Sequence, residues 1–226
     1  MPQYARRPRD LPLTPRFKRL THQLLKTGGN VKIKRILVFG LIGSGKSSIL
    51  KLFKEYGAYT IDCDRIANQI LEHDPEVQLI LKEHFGPSIF VGGKISKKKL
   101  AKLVFDSKKD LLYLEKTIHP KVLAEVKSHY SLQKNEPYTS FVVEASVYPK
   151  VQDDFSSFFD TKIAVQASYE NRLKRAHEKG LSEEEFKIRS MHQMGEENLL
   201  MHADLILDNN STFQELKQQF LNKVST

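Results

Sequence analysis

The sequence predicts an α/β fold in which helices cover both faces of a doubly wound parallel sheet. Short apolar strands alternate with amphipathic helical patterns, and the strands are largely continuous apolar runs, as expected for strands buried on both faces. A glycine-rich turn joins the first strand to the first helix. With 226 residues, 40% hydrophobic and 28% charged, the chain is long enough to bury a core and has a globular composition.

The elements follow one another in a regular order. Strands are expected at 34–39, 58–61, 139–145, 161–167 and 203–208. Helices are expected at 46–55, 65–71, 107–118, 121–132, 169–179, 182–193 and 212–224. Ser182 with Glu185, and Thr212 with Glu215, have the spacing of a capping box, which marks two helix starts. The longest interval between strands, about 65–135, is helix-rich, so an inserted helical region is expected there.

Basic residues are concentrated at the N-terminus. The formal net charge is +9, and residues 1–34 contain nine Lys or Arg against Asp10 alone. This segment lacks the apolar core of a secretory signal. We therefore interpret residues 1–34 as a flexible basic extension and residues 35–226 as the folded domain.

Cysteine content and hydropathy limit where the protein works. Cys63 is the only cysteine, so an intrachain disulfide is excluded and a reducing compartment, the cytoplasm, is expected. No apolar run approaches the roughly 18 residues that a membrane-spanning helix requires. We therefore expect no membrane partner.

The glycine-rich turn carries the strongest chemical signal. Its sequence GLIGSGKS, from Gly40 to Ser47, matches G-x-x-x-x-G-K-[ST] between an apolar strand and an amphipathic helix. Backbone N–H groups and the helix N-terminus would bind phosphate oxygens, while Lys46 would reach the β- and γ-phosphates and the Ser47 hydroxyl would bind Mg²⁺. The predicted nucleotide-binding residues are Gly43, Ser44, Gly45, Lys46, Ser47 and Ser48.

A pair of aspartates follows the second strand. If the strand continues, Asp62 and Asp64 point to the same face, towards the crevice where open α/β sheets bind ligands. One of them is a candidate to accept a proton from an attacking hydroxyl or to hold Mg²⁺ through water. The alternative is that Asp64 caps the helix predicted from Arg65, and the two roles are compatible.

Basic side chains recur after the fourth strand. Arg172, Arg175 and Lys179 have helical spacing and are predicted to form one basic flank, with Arg189 on the next helix. A lid that carries arginine would neutralise charge on a transferring phosphoryl group. An exposed charged helix face is the alternative.

Seven segments, in this order and spacing, resemble the dephospho-CoA kinase family: GLIGSGKSS, IDCDRIANQIL, ISKKKLAKLVF, LEKTIHPKV, SYENRLKRAHEKGLSEEE, RSMHQ and ADLILDNNST. The resemblance runs from about Arg35 to the C-terminus. It implies a P-loop kinase-like fold and ATP-dependent phosphorylation of the ribose 3′-hydroxyl of dephospho-CoA. It also implies that Asp64 is the candidate base, while Lys46 and Ser47 act on ATP and Mg²⁺.

The same resemblance implies an assignment of regions. The insertion at about 65–135 would help to bind the acceptor, and a lid at about 168–195 would carry Arg175 as a catalytic arginine. Asn209 would lie near the adenine of ATP. Arg189 and Gln193 match the R-x-x-x-Q pattern of the family.

Two other functions stay open. A kinase for another small acceptor, such as a nucleoside monophosphate, would share the loop and the lid but not the DCD, HP and LDN series. A nucleotide-dependent nucleic-acid-binding protein would use the basic extension. The nearly neutral remainder argues against a nucleic-acid partner, so a small-molecule substrate is expected, and the sequence leaves the oligomeric state open.

Overall fold

The computed structural model of the chain describes residues 33–146, 154–193 and 195–224. Of the predicted basic extension, residues 1–32 lie outside the described residues. Lys34, at its other end, is already the first residue of a strand.

The described residues contain seven strands and ten α-helices. The strands are β1 (Lys34–Phe39), β2 (Tyr59–Asp62), β3 (Phe90–Val91), β4 (Lys94–Ile95), β5 (Ser140–Ala145), β6 (Thr161–Gln166) and β7 (Leu205–Asp208). The helices are α1 (Lys46–Glu55), α2 (Cys63–His73), α3 (Pro75–Phe85), α4 (Lys97–Asp106), α5 (Lys108–Gln133), α6 (Asp154–Ser157), α7 (Tyr169–Glu178), α8 (Glu183–Met191), α9 (Glu196–Leu200) and α10 (Phe213–Val224).

Five parallel strands form the central sheet in the order β2-β5-β1-β6-β7. Strand β1 lies in the middle, and alternate side chains along it enter two different cores. Leu37 and Phe39 pack in a cluster with α2 and α5, whereas Ile36 and Val38 pack in a cluster with α1 and α10. Both faces of the sheet are therefore covered, and the predicted doubly wound fold is confirmed.

The two capping boxes also form. Ser182 Oγ accepts a hydrogen bond from Glu185 N at 3.1 Å, and Glu185 Oε2 accepts one from Ser182 N at 2.9 Å. Thr212 and Glu215 make the same reciprocal pair at 3.3 Å each. Short-range sequence spacing was sufficient here because both partners lie within one helical turn.

The region between β2 and β5 differs from the prediction in three ways, the first being two additional helices, α3 and α4. The two helices expected at 107–118 and 121–132 are the single helix α5, which contains Pro120. Proline removes one backbone hydrogen bond, but Ile118 and Val122 on either side of it are buried in the same core, which holds both halves in line. The region also contains the antiparallel β3–β4 pair, which the sequence analysis did not identify. Within the described ranges, no helix is long and apolar enough to cross a membrane.

Candidate active site

The glycine-rich loop follows the carboxyl end of β1, at the edge of the sheet where open α/β folds bind ligands. Gly43 has φ +78° and Gly45 has φ +100°, in the left-handed region that favours glycine. A Cβ atom at Gly43 would collide with the backbone oxygen of Arg172, and one at Gly45 would collide with Asn209 Nδ2. The glycines are therefore required by tertiary packing as well as by backbone conformation.

Lys46 is almost completely buried beneath this loop. Its Nζ donates hydrogen bonds to Gly40 O at 3.0 Å and, more weakly, to Leu41 O at 3.4 Å. Burial lowers the pKa of Lys46, while the charges of Glu144 and Asp64 act in the opposite direction. The loop thus encloses a cationic group next to two carboxylates.

The three predicted serines have different environments. Ser44 is buried, and its hydroxyl has no hydrogen-bond partner among the described residues. Its backbone N–H donates to Leu41 O at 3.1 Å, which closes the turn. Ser47 is exposed in the first turn of α1, and Ser48 is partly buried beside it. Of these three serines, only Ser47 is an exposed residue.

Arg175 and Asn209 tie the loop to the far edge of the sheet. Asn209 Nδ2 donates to Ser44 O at 2.7 Å, although 165 residues separate the two. Arg175 Nη2 donates to Asn209 O at 2.6 Å, and its Nη1 contacts the carbonyls of Gly43 and Ser44 at 3.4 and 3.5 Å. Arg175 therefore supports the loop from α7 through backbone carbonyls.

Two residues of the predicted basic flank, Arg172 and Arg175, do not line the cleft. Arg172 is buried, donates from Nε to Ala167 O at 3.2 Å and packs against the rings of Tyr169 and Phe186. Arg172 does not line the cleft, because its helical position faces the packing interface between α7 and α8. Lys179 and Arg189 do line the cleft beside the loop.

The aspartate pair also differs from the prediction. Strand β2 ends at Asp62 and helix α2 begins at Cys63, so the two side chains do not share a strand face. Asp62 is the helix cap: its Oδ1 accepts hydrogen bonds from Asp64 N at 2.9 Å and Arg65 N at 3.2 Å. Because Asp62 takes this role, the side chain of Asp64 is directed into the cleft.

Asp64 keeps an exposed side towards the cleft, although protein surrounds most of its carboxylate. Desolvation raises its pKa, and the charge of Asp62 acts in the same direction. A hydrogen bond from Ser146 Oγ at 2.9 Å lowers the pKa, as do the charges of Lys46 and Arg189. The carboxylate is therefore held near several cations but is poorly hydrated.

Glu144 is a site residue that the sequence analysis did not select. It lies in β5, where it pairs with Val38 of β1 and with Asp62 of β2. Val38 is two residues before Gly40, where the loop begins. Desolvation raises its pKa to about 7, while Lys46 acts against this shift. The signal that could have found it is its position at the carboxyl end of an apolar strand.

Gln193 connects three parts of the site. Its Oε1 accepts a hydrogen bond from Ile42 N in the loop at 2.8 Å. Its Nε2 donates to Ser146 O, just beyond β5, at 3.2 Å. The residue follows α8, so the segment after that helix contacts both the loop and the end of β5.

Two cavities meet at Asp64. One, of about 410 Å³, is lined by the loop, Glu144, Arg189 and Gln193. The other, of about 330 Å³, lies among α2, α4 and α5 and is lined mainly by apolar side chains. They share four lining residues: Asp64, Phe105, Leu111 and Glu115. A ligand that fills both would pass Asp64 at the point where polar surroundings give way to apolar ones.

Comparison with known families identifies this arrangement. The family model for dephospho-CoA kinase matches residues 36–215, which is most of the chain. The chain belongs to the dephospho-CoA kinase family. The resemblance found in the sequence motifs is thereby confirmed.

Individual relatives agree. A dephospho-CoA kinase of Aquifex aeolicus is 34% identical over 189 residues, covering 83% of this chain and 94% of the relative. One of Protochlamydia amoebophila is 32% identical over 194 residues, covering 83% and 93%. A crystal structure of a Thermus thermophilus protein matches with TM-score 0.72 and 27% identity, covering 86% of this chain and 97% of that one. Dephospho-CoA kinase from Campylobacter jejuni matches with TM-score 0.62 and 25% identity, covering 84% and 95%.

Membership of the dephospho-CoA kinase family gives the site its chemical class. The chain is a P-loop kinase that uses ATP and acts on a small molecule. The strand–loop–helix unit around Gly40 to Ser47 has the sequence pattern that binds the triphosphate in such kinases.

Proposed function

We propose that this chain transfers the γ-phosphoryl group of ATP to the ribose 3′-hydroxyl of dephospho-CoA, giving coenzyme A and ADP. Family membership over residues 36–215 supports the reaction. The structural observation that carries the proposal is the position of Asp64, which lines both the cleft beside the phosphate loop and the apolar cavity. An acceptor bound in the apolar cavity would place its hydroxyl next to Asp64 and facing the phosphate loop.

On the ATP side, the loop and the start of α1 bind the triphosphate through backbone N–H groups and side chains. The residues we assign to this role are Gly43, Ser44, Gly45, Lys46, Ser47 and Ser48, with Asn209 on the adenine side. Lys46 neutralises charge on the phosphates, and its enclosed position strengthens that interaction because little water screens it.

The residues present also fit Mg²⁺. Ser47 is exposed at the start of α1, and the carboxyl groups of Asp64 and Glu144 line the cleft with oxygen atoms. Mg²⁺ in kinases is commonly held by one or two protein groups together with phosphate oxygens of the nucleotide. We assign Ser47 as the protein ligand. Bound there, Mg²⁺ would neutralise negative charge on the phosphates.

On the acceptor side, Asp64 takes the proton of the 3′-hydroxyl while the hydroxyl oxygen forms a bond to the γ-phosphorus. The bond from phosphorus to the bridging oxygen breaks, and ADP leaves with that electron pair. A raised pKa makes Asp64 a stronger base than an exposed aspartate. The helical insertion, about 65–135, supplies the apolar cavity for the rest of dephospho-CoA.

The lid, about 168–195, closes the opposite side of the cleft. Arg189 lines the cleft from α8. Arg175, on α7, contacts backbone carbonyls of the loop and of Asn209, and we assign it to stabilise charge on the transferring phosphoryl group. A closed cleft excludes water that would otherwise receive the phosphoryl group. With a single cysteine, such an enzyme suits the cytoplasm.

The test is to incubate the protein with Mg-ATP and dephospho-CoA and to follow coenzyme A and ADP together. We expect stoichiometric products, with Asp64→Asn and Lys46→Ala each reducing kcat/KM by about 100-fold or more. Glu55→Gln, at the far end of α1, is the matched carboxylate control and should retain full activity.

A folded protein that binds Mg-ATP but forms no coenzyme A would contradict the acceptor assignment. Phosphorylation of a nucleoside monophosphate in its place would support the other small-acceptor kinase. An Asp64→Asn variant with normal kcat would leave the reaction assigned but would remove Asp64 as its base.

A further inference from the structure

Asp64 is held by a hydrogen bond whose donor comes from a different part of the chain. Ser146 Oγ donates to Asp64 Oδ2 at 2.9 Å, across 82 residues of sequence. The sheet brings the two segments together: Asp62, the last residue of β2, pairs with Glu144 of β5, and Asp64 and Ser146 lie just beyond the ends of these adjacent strands. This approach is therefore a consequence of strand pairing.

The hydrogen bond restricts which oxygen of Asp64 faces the cleft. Among the described residues, Oδ2 accepts from Ser146, and no hydrogen bond to Oδ1 is observed. A carboxylate in the first turn of a helix can otherwise rotate about χ1 and χ2. With Oδ2 engaged, Oδ1 is presented to an acceptor in the cleft.

Ser146 is itself held by the lid and the phosphate loop. Gln193 Nε2 donates to Ser146 O at 3.2 Å, and Gln193 Oε1 accepts from Ile42 N at 2.8 Å. Three hydrogen bonds thus connect the loop that binds the phosphates to the carboxylate that faces the acceptor. The two reacting groups are positioned relative to each other through Gln193 and Ser146.

We propose that Ser146 is a positioning residue that orients Asp64 towards the acceptor hydroxyl and, through Gln193, keeps it in register with the phosphate loop. This inference rests on the proposed role of Asp64 as the base. It adds a specific requirement, namely that the hydroxyl of residue 146 contributes to the chemical step and not to substrate binding.

The experiment measures kcat, and KM for both substrates, in Ser146→Ala and Ser146→Thr. We expect kcat to fall on the order of tenfold in Ser146→Ala with both KM values unchanged, because only the orientation of the base is lost. Ser146→Thr keeps a hydroxyl and should recover most of the loss. Ser157→Ala, which removes a hydrogen-bonded serine hydroxyl in α6, is the matched control and should behave as the wild type.

Melting temperatures separate positioning from folding. Provided that the variants melt like the wild type, an unchanged kcat in Ser146→Ala would overturn the inference, as would equal losses in Ser146→Ala and Ser146→Thr. Asp64→Asn is measured in parallel. If it abolishes activity while Ser146→Ala does not reduce it, the proposed function stands and only the role of Ser146 fails.

Discussion

On the proposed phosphate side of the cleft, glycines and a buried lysine are packed closely against other segments, whereas on the proposed acceptor side apolar side chains from three helices surround a cavity. Gly43 and Gly45 leave no room for a Cβ atom, and Lys46 is buried below them. The acceptor cavity instead has a volume of about 330 Å³. In the proposed function, triphosphate binding is therefore set by the close packing of the loop, while acceptor binding depends on the size of the side chains around the cavity.

The largest effect is expected from Gly43→Ala. The new Cβ would collide with the backbone of Arg172, and the residue would be strained at φ +78°. Strain of about 1–3 kcal/mol and the collision together should weaken ATP binding by about 100-fold. Titration calorimetry with ATP measures this.

Gly57→Ala provides the matched control. Gly57 also has a positive φ, +82°, but a Cβ atom there would meet its nearest neighbour at 3.4 Å, an ordinary van der Waals contact. Gly57 precedes β2 and lies away from the cleft. It should lose stability without losing ATP affinity. Equal ATP affinities in the two variants would show that the close packing at Gly43 is unimportant.

A smaller effect on the same side is expected from Arg175→Lys. Lysine retains the charge but cannot contact Asn209 O and the two loop carbonyls at once. We expect kcat/KM for ATP to fall about tenfold, because the loop and Asn209 lose the contacts that one guanidinium makes to both. Full activity in Arg175→Lys would show that Arg175 contributes only its charge.

The acceptor side is tested by Ala101→Phe, which adds a ring within the apolar cavity. We expect KM for dephospho-CoA to rise about tenfold, since overpacking costs about 1–3 kcal/mol. The Kd for ATP should stay unchanged, and the melting temperature reports any effect on folding. An unaltered KM would show that the acceptor does not enter this cavity.

The smallest effect concerns the boundary between the two sides. The pKa of Glu144 is about 7 in the folded protein, above its ordinary value of 4.5, so ionisation opposes folding increasingly as the pH rises from about 4.5 to 7. Glu144→Gln should therefore raise the melting temperature by about 3–6 °C at pH 8 and leave it unchanged at pH 4, without ATP or Mg²⁺. A gain at pH 4 as large as that at pH 8 would contradict the raised pKa.

The prediction of the fold succeeded where the determinants are local. Helix α1 has the predicted bounds, and the five sheet strands lie within two residues of prediction, because hydrophobic pattern and capping act over a few neighbouring residues. Prediction failed at Pro120, where the intrinsic tendency of proline to end a helix was outweighed by core packing on both sides. It also failed at Arg172, whose charge suggested the cleft although its helix face is buried.

The sequence by itself determined the phosphate loop, the alternation of strands and helices, and the family. These follow from residue types at fixed short spacings, which set backbone conformation and the pattern of burial. Only the tertiary structure decided that Asn209 contacts Ser44 and that Ser146 contacts Asp64. Those contacts depend on the order of the strands in the sheet, which makes neighbours of residues separated by 165 positions in one pair and by 82 in the other.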